Sequence, residues 1–206
     1  MVGSDYGALL AGSDESTPRA ILDAAVEEMA AHGYDGTTVR DIAARVGGSP
    51  GLIYHHFGSK HGLLVVILKR GIDRLVRETE DALLNAGTDP AERLRALVTV
   101  HVLAHTERQR ESLLGNSELR SLEPSARALV VSSRDTQQRM FDRVVADGVQ
   151  RGTFTTPLPT EAARSVVSAC TAVATWFRPG GQLSAAEIVR RYQRVALDTV
   201  GYREPR

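Results

Sequence analysis

Helix-start signals punctuate this chain at short intervals, and they constrain its fold more than any other feature. A short polar residue directly before proline recurs at Thr17-Pro18, Ser49-Pro50 and Asp89-Pro90, and Ser184 is followed three residues on by Glu187. Such oxygens satisfy the unpaired N–H groups of a first turn, and the fixed φ of proline suits the first helical position. Apolar residues follow at helical spacing: Ile21, Leu22, Ala25, Met29; then Val39, Ile42, Ala43, Val46; then Leu63, Leu64, Ile67, Ile72, Leu75, Val76. Gly33, Gly47-Gly48, Gly58, Gly87 and Gly152 fall where these runs stop. The same reading gives helices from Asp89 through His105, over roughly Glu111–Leu119, from Pro124 to near Gly152, from a cap at Thr160 to Phe177, and from Ser184 to Val200. No stretch pairs strand alternation with a hairpin turn. The expected fold is all-α with about nine helices and no internal repeat.

Composition removes several functional classes. The 206 residues suffice for one ordinary domain, or a small domain fused to a larger one. Acidic and basic residues balance at 25 each, which disfavours a protein that coats nucleic acid or lies on anionic lipid. A compact basic patch stays compatible with that total. The single cysteine, Cys170, makes neither a disulfide nor a cysteine-rich zinc site, and is expected to be a small buried residue in a reducing compartment. Met1 to Ser16 carries no Lys or Arg and is not patterned as a signal peptide. No apolar run approaches about 20 residues, so no membrane span is expected and the cytoplasm is the expected location.

The informative segment lies near the N-terminus. Three short helices within the first ~60 residues have the size of a helix-turn-helix unit. Ala43 is small where two helices would cross, Gly47 follows four residues later at the turn, and Ile53 follows six after that on the inner face of the third helix. The third helix, about 49–57, is short and would turn Pro50, Leu52, Tyr54 and His55 outward. Its N-terminal end, with unpaired N–H groups and the positive end of the helix dipole, suits a major groove lined by phosphate. Thr37, Thr38 and Ser49 are short donors at helix starts, and Lys60 opens the next helix within reach of phosphate. From Thr37 to Arg70 there are five cations (Arg40, Arg45, Lys60, Lys69, Arg70) against one anion, Asp41.

The run Thr37-Thr38-Val39-Arg40-Asp41-Ile42-Ala43, followed by Gly47-Gly48-Ser49-Pro50-Gly51-Leu52-Ile53-Tyr54-His55-His56-Phe57-Gly58-Ser59-Lys60, closely resembles the DNA-binding domain of TetR-family transcriptional regulators. The resemblance covers roughly residues 16–70. It implies a loose tail over 1–15, a helix-turn-helix domain over 16–70, and a helical ligand-binding and dimerising domain over 71–206. It also implies phosphate contacts at Thr38, Tyr54, His55 and Lys60. Ser49, Pro50, Gly51, Leu52 and Arg40 match positions near base edges. Gly48 departs from the family, which often has an apolar residue there. A metal on the adjacent His55-His56 is disfavoured, because neighbouring residues diverge by about 100° on a helix.

The second half is less explicit. His101 and His105 stand one helical turn apart, as core or pocket-wall residues or as two of three zinc ligands, but no HExxH signature accompanies them. Arg134 is either a solvated arginine or a pocket cation, and Phe141 is a candidate lining residue. The run from Thr175 to Ser184, with Glu187-Ile188, resembles the end of one TetR subgroup that regulates lipid or steroid catabolism and often senses acyl-CoA thioesters. By that analogy Trp176 and Arg178 line a ligand entrance; the alternative is that Trp176 fills a dimer seam and Arg178 caps a helix. The last two helices, with Ala162, Ala163, Ala169, Ala172 and Ala174, are the expected homodimer interface.

The resulting expectation is a homodimeric repressor, without cofactor, metal or enzymatic activity. A small molecule, in this reading an acyl-CoA or a lipid or steroid catabolite, releases it from a palindromic operator in double-stranded DNA. A repressor of an efflux pump sensing cationic or hydrophobic drugs is the alternative, weakened because residues 90–170 hold only Phe141 and Phe154 as aromatics. An all-α enzyme is a distant third, since no nucleophile elbow, P-loop or dinucleotide fingerprint is present.

Overall fold

The computed structural model describes residues 16–203; the expected tail over 1–15 lies outside them. Among the described residues there are nine α-helices. They are α1 (Ser16–Gly36), α2 (Val39–Arg45), α3 (Pro50–Phe57), α4 (Lys60–Asn85), α5 (Pro90–Glu107), α6 (Gln109–Ser117), α7 (Pro124–Gln150), α8 (Pro159–Trp176) and α9 (Ala185–Thr199), with a 3-10 turn at Glu118–Ser121.

The start signals act as their chemistry dictates, with local exceptions. Thr38 and Asp41 form a capping box on α2, as Ser184 and Glu187 do on α9. Asp89 accepts from the N–H groups of Ala91 and Glu92. Ser59 Oγ accepts from Gly62 N at 2.9 Å at the start of α4. Two caps are corrected: α1 already includes Ser16, so Thr17 is not its N-cap, and α8 begins at Pro159 after Leu158, so Thr160 lies inside the helix. The expected Glu111 start is likewise earlier, at Gln109. Gly33 interrupts α1 with φ 74°, a left-handed conformation that costs glycine little.

The chain forms two compact units. The first takes residues up to Ile72 together with Arg110–Val131, and the second takes Asp73–Gln109 with Ser132–Arg206. The expected division near residue 70 did not anticipate that α6, the 3-10 turn and the start of α7 join the first unit. Leu114, Leu122, Ala126 and Val130 pack with Ile21, Ile42, Ile53, Phe57 and Leu63 in one core. In the second unit the core is built from Leu94, Val98, Phe141, Val145, Phe154, Val166, Cys170 and Val173, closed by Ile188 and Leu197 of α9. Helices α4 and α7 each begin in the first unit and end in the second.

Candidate functional site

Helix α3 has only eight residues, so it is held by what lies under it. Ile53 and Phe57 are buried, and each contributes about 1.5–3 kcal/mol of transfer free energy. Their burial fixes which way the rest of α3 points. Tyr54 is 53% exposed, and Gly51 and His55 are exposed as well. Leu52 is a correction: it was expected to face outward, but it is half-buried against the core. Pro50 is also half-buried. The turn before α3 is set by Gly47 at φ 67°, with Gly48 N donating to Ala43 O at 2.9 Å. A Cβ at Gly48 would come within 3.2 Å of Leu52 Cδ2, so the family's usual apolar residue would need Leu52 to shift.

The predicted donors divide by what they already do. Ser49 has extended N-cap geometry, yet its hydroxyl makes no capping hydrogen bond. The Thr38 hydroxyl donates to Asp41 Oδ2 at 2.6 Å while accepting from Asp41 N, and Thr38 is exposed. These bonds hold the Asp41 carboxyl below its ordinary value, the side-chain bond most. Thr37 is a correction. It is 1% exposed, and its hydroxyl donates to Gly33 O at 2.8 Å, so it serves the α1–α2 turn and faces no partner.

Lys60 is also more than the surface cation expected. Its Nζ donates to Tyr34 O and to Thr37 O, each at 2.9 Å, and lies 4.3 Å from the Tyr34 ring centroid. An ammonium has three N–H donors, so one is left for a phosphate. Arg45 is tied to Glu28 through Nε at 2.6 Å, an ion pair that the charge count did not reveal. Arg40 lies on exposed α2 surface. The first unit therefore presents Arg40, Ser49, Gly51, Tyr54 and His55 as exposed groups around one short helix.

The second unit holds a different arrangement. His101 and His105 stack with centroids 4.5 Å apart and planes at 6°. The edge of Phe141 meets His101 at 5.7 Å. His101 Nε2 bonds to Thr171 Oγ1 at 2.9 Å, and His105 Nδ1 donates to the His101 carbonyl at 2.7 Å. Burial pushes both imidazoles below their ordinary value, His101 well below; for His105 the hydrogen bond to the His101 carbonyl opposes this, and the charges of Arg108 and Arg134 add to it. Both rings are thus neutral at pH 7. Arg134 is half-buried, and that burial lowers its guanidinium below the ordinary value. Arg134, Gln137 and Phe141 share one stripe of α7, and Gln137 Nε2 donates to Thr79 Oγ1 at 2.9 Å. His101 Nδ1 and Gln137 Oε1 are buried without a hydrogen-bond partner in the protein. The i, i+3, i+7 spacing of the α7 stripe was readable from the sequence; Thr79 and Thr171 as partners were not. Among the described residues no group of three or more His, Cys, Asp or Glu side chains could hold a metal.

Trp176 is 43% exposed and stacks on Tyr192, with centroids 6.2 Å apart. Arg178 is exposed, and the end of α8 is clamped instead by Gln109, whose Nε2 donates to Ala174 O and Phe177 O. Of the five small residues expected at a dimer seam, Ala162, Ala163 and Ala174 are buried within the unit, which leaves Ala169 and Ala172 nearer the surface. No helix among the described residues is long and apolar enough to cross a membrane.

Comparison with known proteins agrees with this geometry. Residues 21–67 match the model for bacterial regulatory proteins of the tetR family, and residues 87–200 match the tetracyclin repressor-like C-terminal domain. The transcriptional repressor KstR2 of Mycobacterium tuberculosis is 30% identical over 190 residues, covering 91% of this chain and 94% of the relative. A tetR-family regulatory protein from Rhodococcus RHA1 superposes with a TM-score of 0.87 at 30% identity, covering 93% of this chain and all of that one. The structure of AibR in complex with isovaleryl coenzyme A and operator DNA, at 24% identity and a TM-score of 0.81 over 91% of this chain, shares the fold. The chain belongs to the TetR family of helix-turn-helix transcriptional regulators, a family of DNA-binding repressors and not of enzymes.

Proposed function

We propose that this repressor acts as a homodimer on a palindromic operator and is released from it by an anionic acyl-type effector, an acyl-CoA thioester or a related lipid or steroid catabolite. One short recognition helix reads too few base pairs, so two copies on a two-fold site are needed for specificity. Exposed Trp176 and Val195 on α8 and α9 support the pairing face. Ser49, Gly51, Tyr54, His55 and Arg40 contact the duplex in this reading, and Thr38 and Lys60 contribute at phosphate through what their internal bonds leave over.

The observation that carries the effector class is the interior of the second unit. His101, His105 and Phe141 form a buried cluster of packed rings with Arg134 half-buried beside it, and His101 Nδ1 and Gln137 Oε1 are buried without a protein partner. Such a cluster can donate from His101 Nδ1 to a carbonyl or carboxylate and accept at Gln137 Oε1 from an amide or hydroxyl of the same molecule, while the Arg134 charge repels a cationic drug. Relatives described as a steroid-linked regulator and as an isovaleryl-CoA complex lend support. Trp176 goes to the pairing face in this reading, and exposed Arg178 takes the entrance. Helices α4 and α7, which run from the first unit into the second, would carry the response, and a coupling of about 1–3 kcal/mol suffices.

The test is operator release. In a mobility shift with DNA upstream of the gene itself, acyl-CoA thioesters should free the DNA while cationic dyes leave it bound. His101→Leu should abolish release but keep DNA binding. Release by the dyes and not by any thioester would transfer the effector assignment to the drug-sensing reading.

A further inference from the structure

The flank of α9 carries a feature that neither the DNA-binding helix nor the histidine interior uses. Arg95 of α5, Arg190 and Arg194 of α9, and Arg203 beyond it line one open groove of about 390 Å³, together with Gln193, Leu197, Asp198 and Tyr202. Four arginines thus line a groove that holds one carboxylate, Asp198, with Glu92 paired to Arg95 beside it, in a chain whose total charge is zero. Asp198 is engaged by Arg194 Nε at 3.0 Å, which holds that arginine along the groove wall. Arg95 lies 5.7 Å from the Tyr202 ring centroid. Its Nη1 is buried without a hydrogen-bond partner, the nearest carboxylate being Glu92 at 3.7 Å. The floor is fixed by Gln193 Nε2, which donates to Thr99 Oγ1 at 2.9 Å.

We infer that this groove is a binding site for an oligophosphate, carried either as a free diphosphate or on a nucleotide. Planar guanidinium groups converging from two helices match phosphate oxygens in pairs, where a single carboxylate ligand would leave several unpaired. The site is distinct from the proposed dimer face. At about 100° per residue, Tyr192 and Val195 lie on another side of α9 from Arg190, Gln193, Arg194 and Leu197, so pairing through Trp176, Tyr192 and Val195 leaves the groove open. Bound phosphate would bridge α5 to α9 and tighten the second unit.

The experiment is calorimetry on the full chain at fixed ionic strength, with inorganic pyrophosphate, adenosine diphosphate and sulfate as probes, against Arg190→Gln/Arg203→Gln. These two arginines are exposed, so the variant keeps the fold. Pyrophosphate should bind the parent and raise its melting temperature, and the variant should bind at least roughly tenfold more weakly with unchanged operator affinity. Tighter binding of adenosine diphosphate than of pyrophosphate assigns the nucleotide as source; equal binding assigns the free oligophosphate. No pyrophosphate binding, an equal response to sulfate, or undiminished binding by the double variant overturns the site. Because effector release is read separately on DNA, failure here leaves the histidine interior untouched.

Discussion

Lys60→Met removes one ammonium and keeps most of the aliphatic stem, so it isolates what that charge does in the first unit. The ammonium donates to the carbonyls of Tyr34 and Thr37 and lies over the Tyr34 ring. A hydrogen bond from a charged donor contributes about 1.5–3 kcal/mol, and a cation over an aromatic ring about 0.5–1 kcal/mol where it is partly exposed. Lys60 is half-buried, so water recovers part of both carbonyl bonds in the variant. The expected net loss is about 2–3 kcal/mol. Urea denaturation followed by circular dichroism gives the global figure. Amide exchange should show the loss concentrated at Thr37 and Ile42, whose N–H groups donate to Tyr34 O and Thr38 O beside the missing charge. DNA affinity should fall on every sequence alike, because the platform under α3 loosens. A variant within about 0.5 kcal/mol of the parent, with exchange at those amides unchanged, would refute the role of Lys60 in holding the Tyr34 and Thr37 carbonyls.

Three further outcomes follow from the second unit. Gly148→Ala places a Cβ against the buried Phe154 ring, so it should cost about 1–3 kcal/mol in urea denaturation, and Phe154→Leu in the same chain should recover part of it. Burial pushes the Cys170 thiol up to about 12, so a thiol reagent at pH 8 should label the folded protein only at the rate of opening; rapid stoichiometric labelling would contradict the buried placement. His101 and His105 bind protons less readily folded than unfolded, so their contribution to stability is complete above the ordinary value of 6.5 and is lost as pH falls below it. Denaturation between pH 7 and 5 should show that loss, with a slope of at most about 1.4 kcal/mol per pH unit for each group, and His101→Gln should flatten it; an equal slope in the variant would place the titration elsewhere.

The helices and the recognition segment were legible because their causes are local. Caps at Thr38, Asp89 and Ser184, the turn glycine Gly47 and the inward pair Ile53 and Phe57 are each set by residues a few positions apart. What the sequence hid is non-local. Lys60 reads as a free surface cation until the carbonyls 26 and 23 residues earlier are brought to it. Thr37 looked as exposed as Thr38, and only the left-handed turn at Gly33 puts its hydroxyl on a carbonyl. The joining of Arg110–Val131 to the first unit, and the convergence of Arg95 with Arg190, Arg194 and Arg203, depend on packing between segments far apart in the chain.

Pro50–Phe57, held by Ile53 and Phe57, is the segment proposed to read duplex DNA, as a pair of outward-facing helices. Selection of bound sequences from a randomised duplex library by the full chain tests it most directly. The expected result is a two-fold symmetric site, a changed base preference with Arg40→Ala, and roughly tenfold weaker binding on all sites, with an unchanged salt slope, for Tyr54→Phe. Enrichment of no sequence, or of sites indifferent to both substitutions, would contradict it.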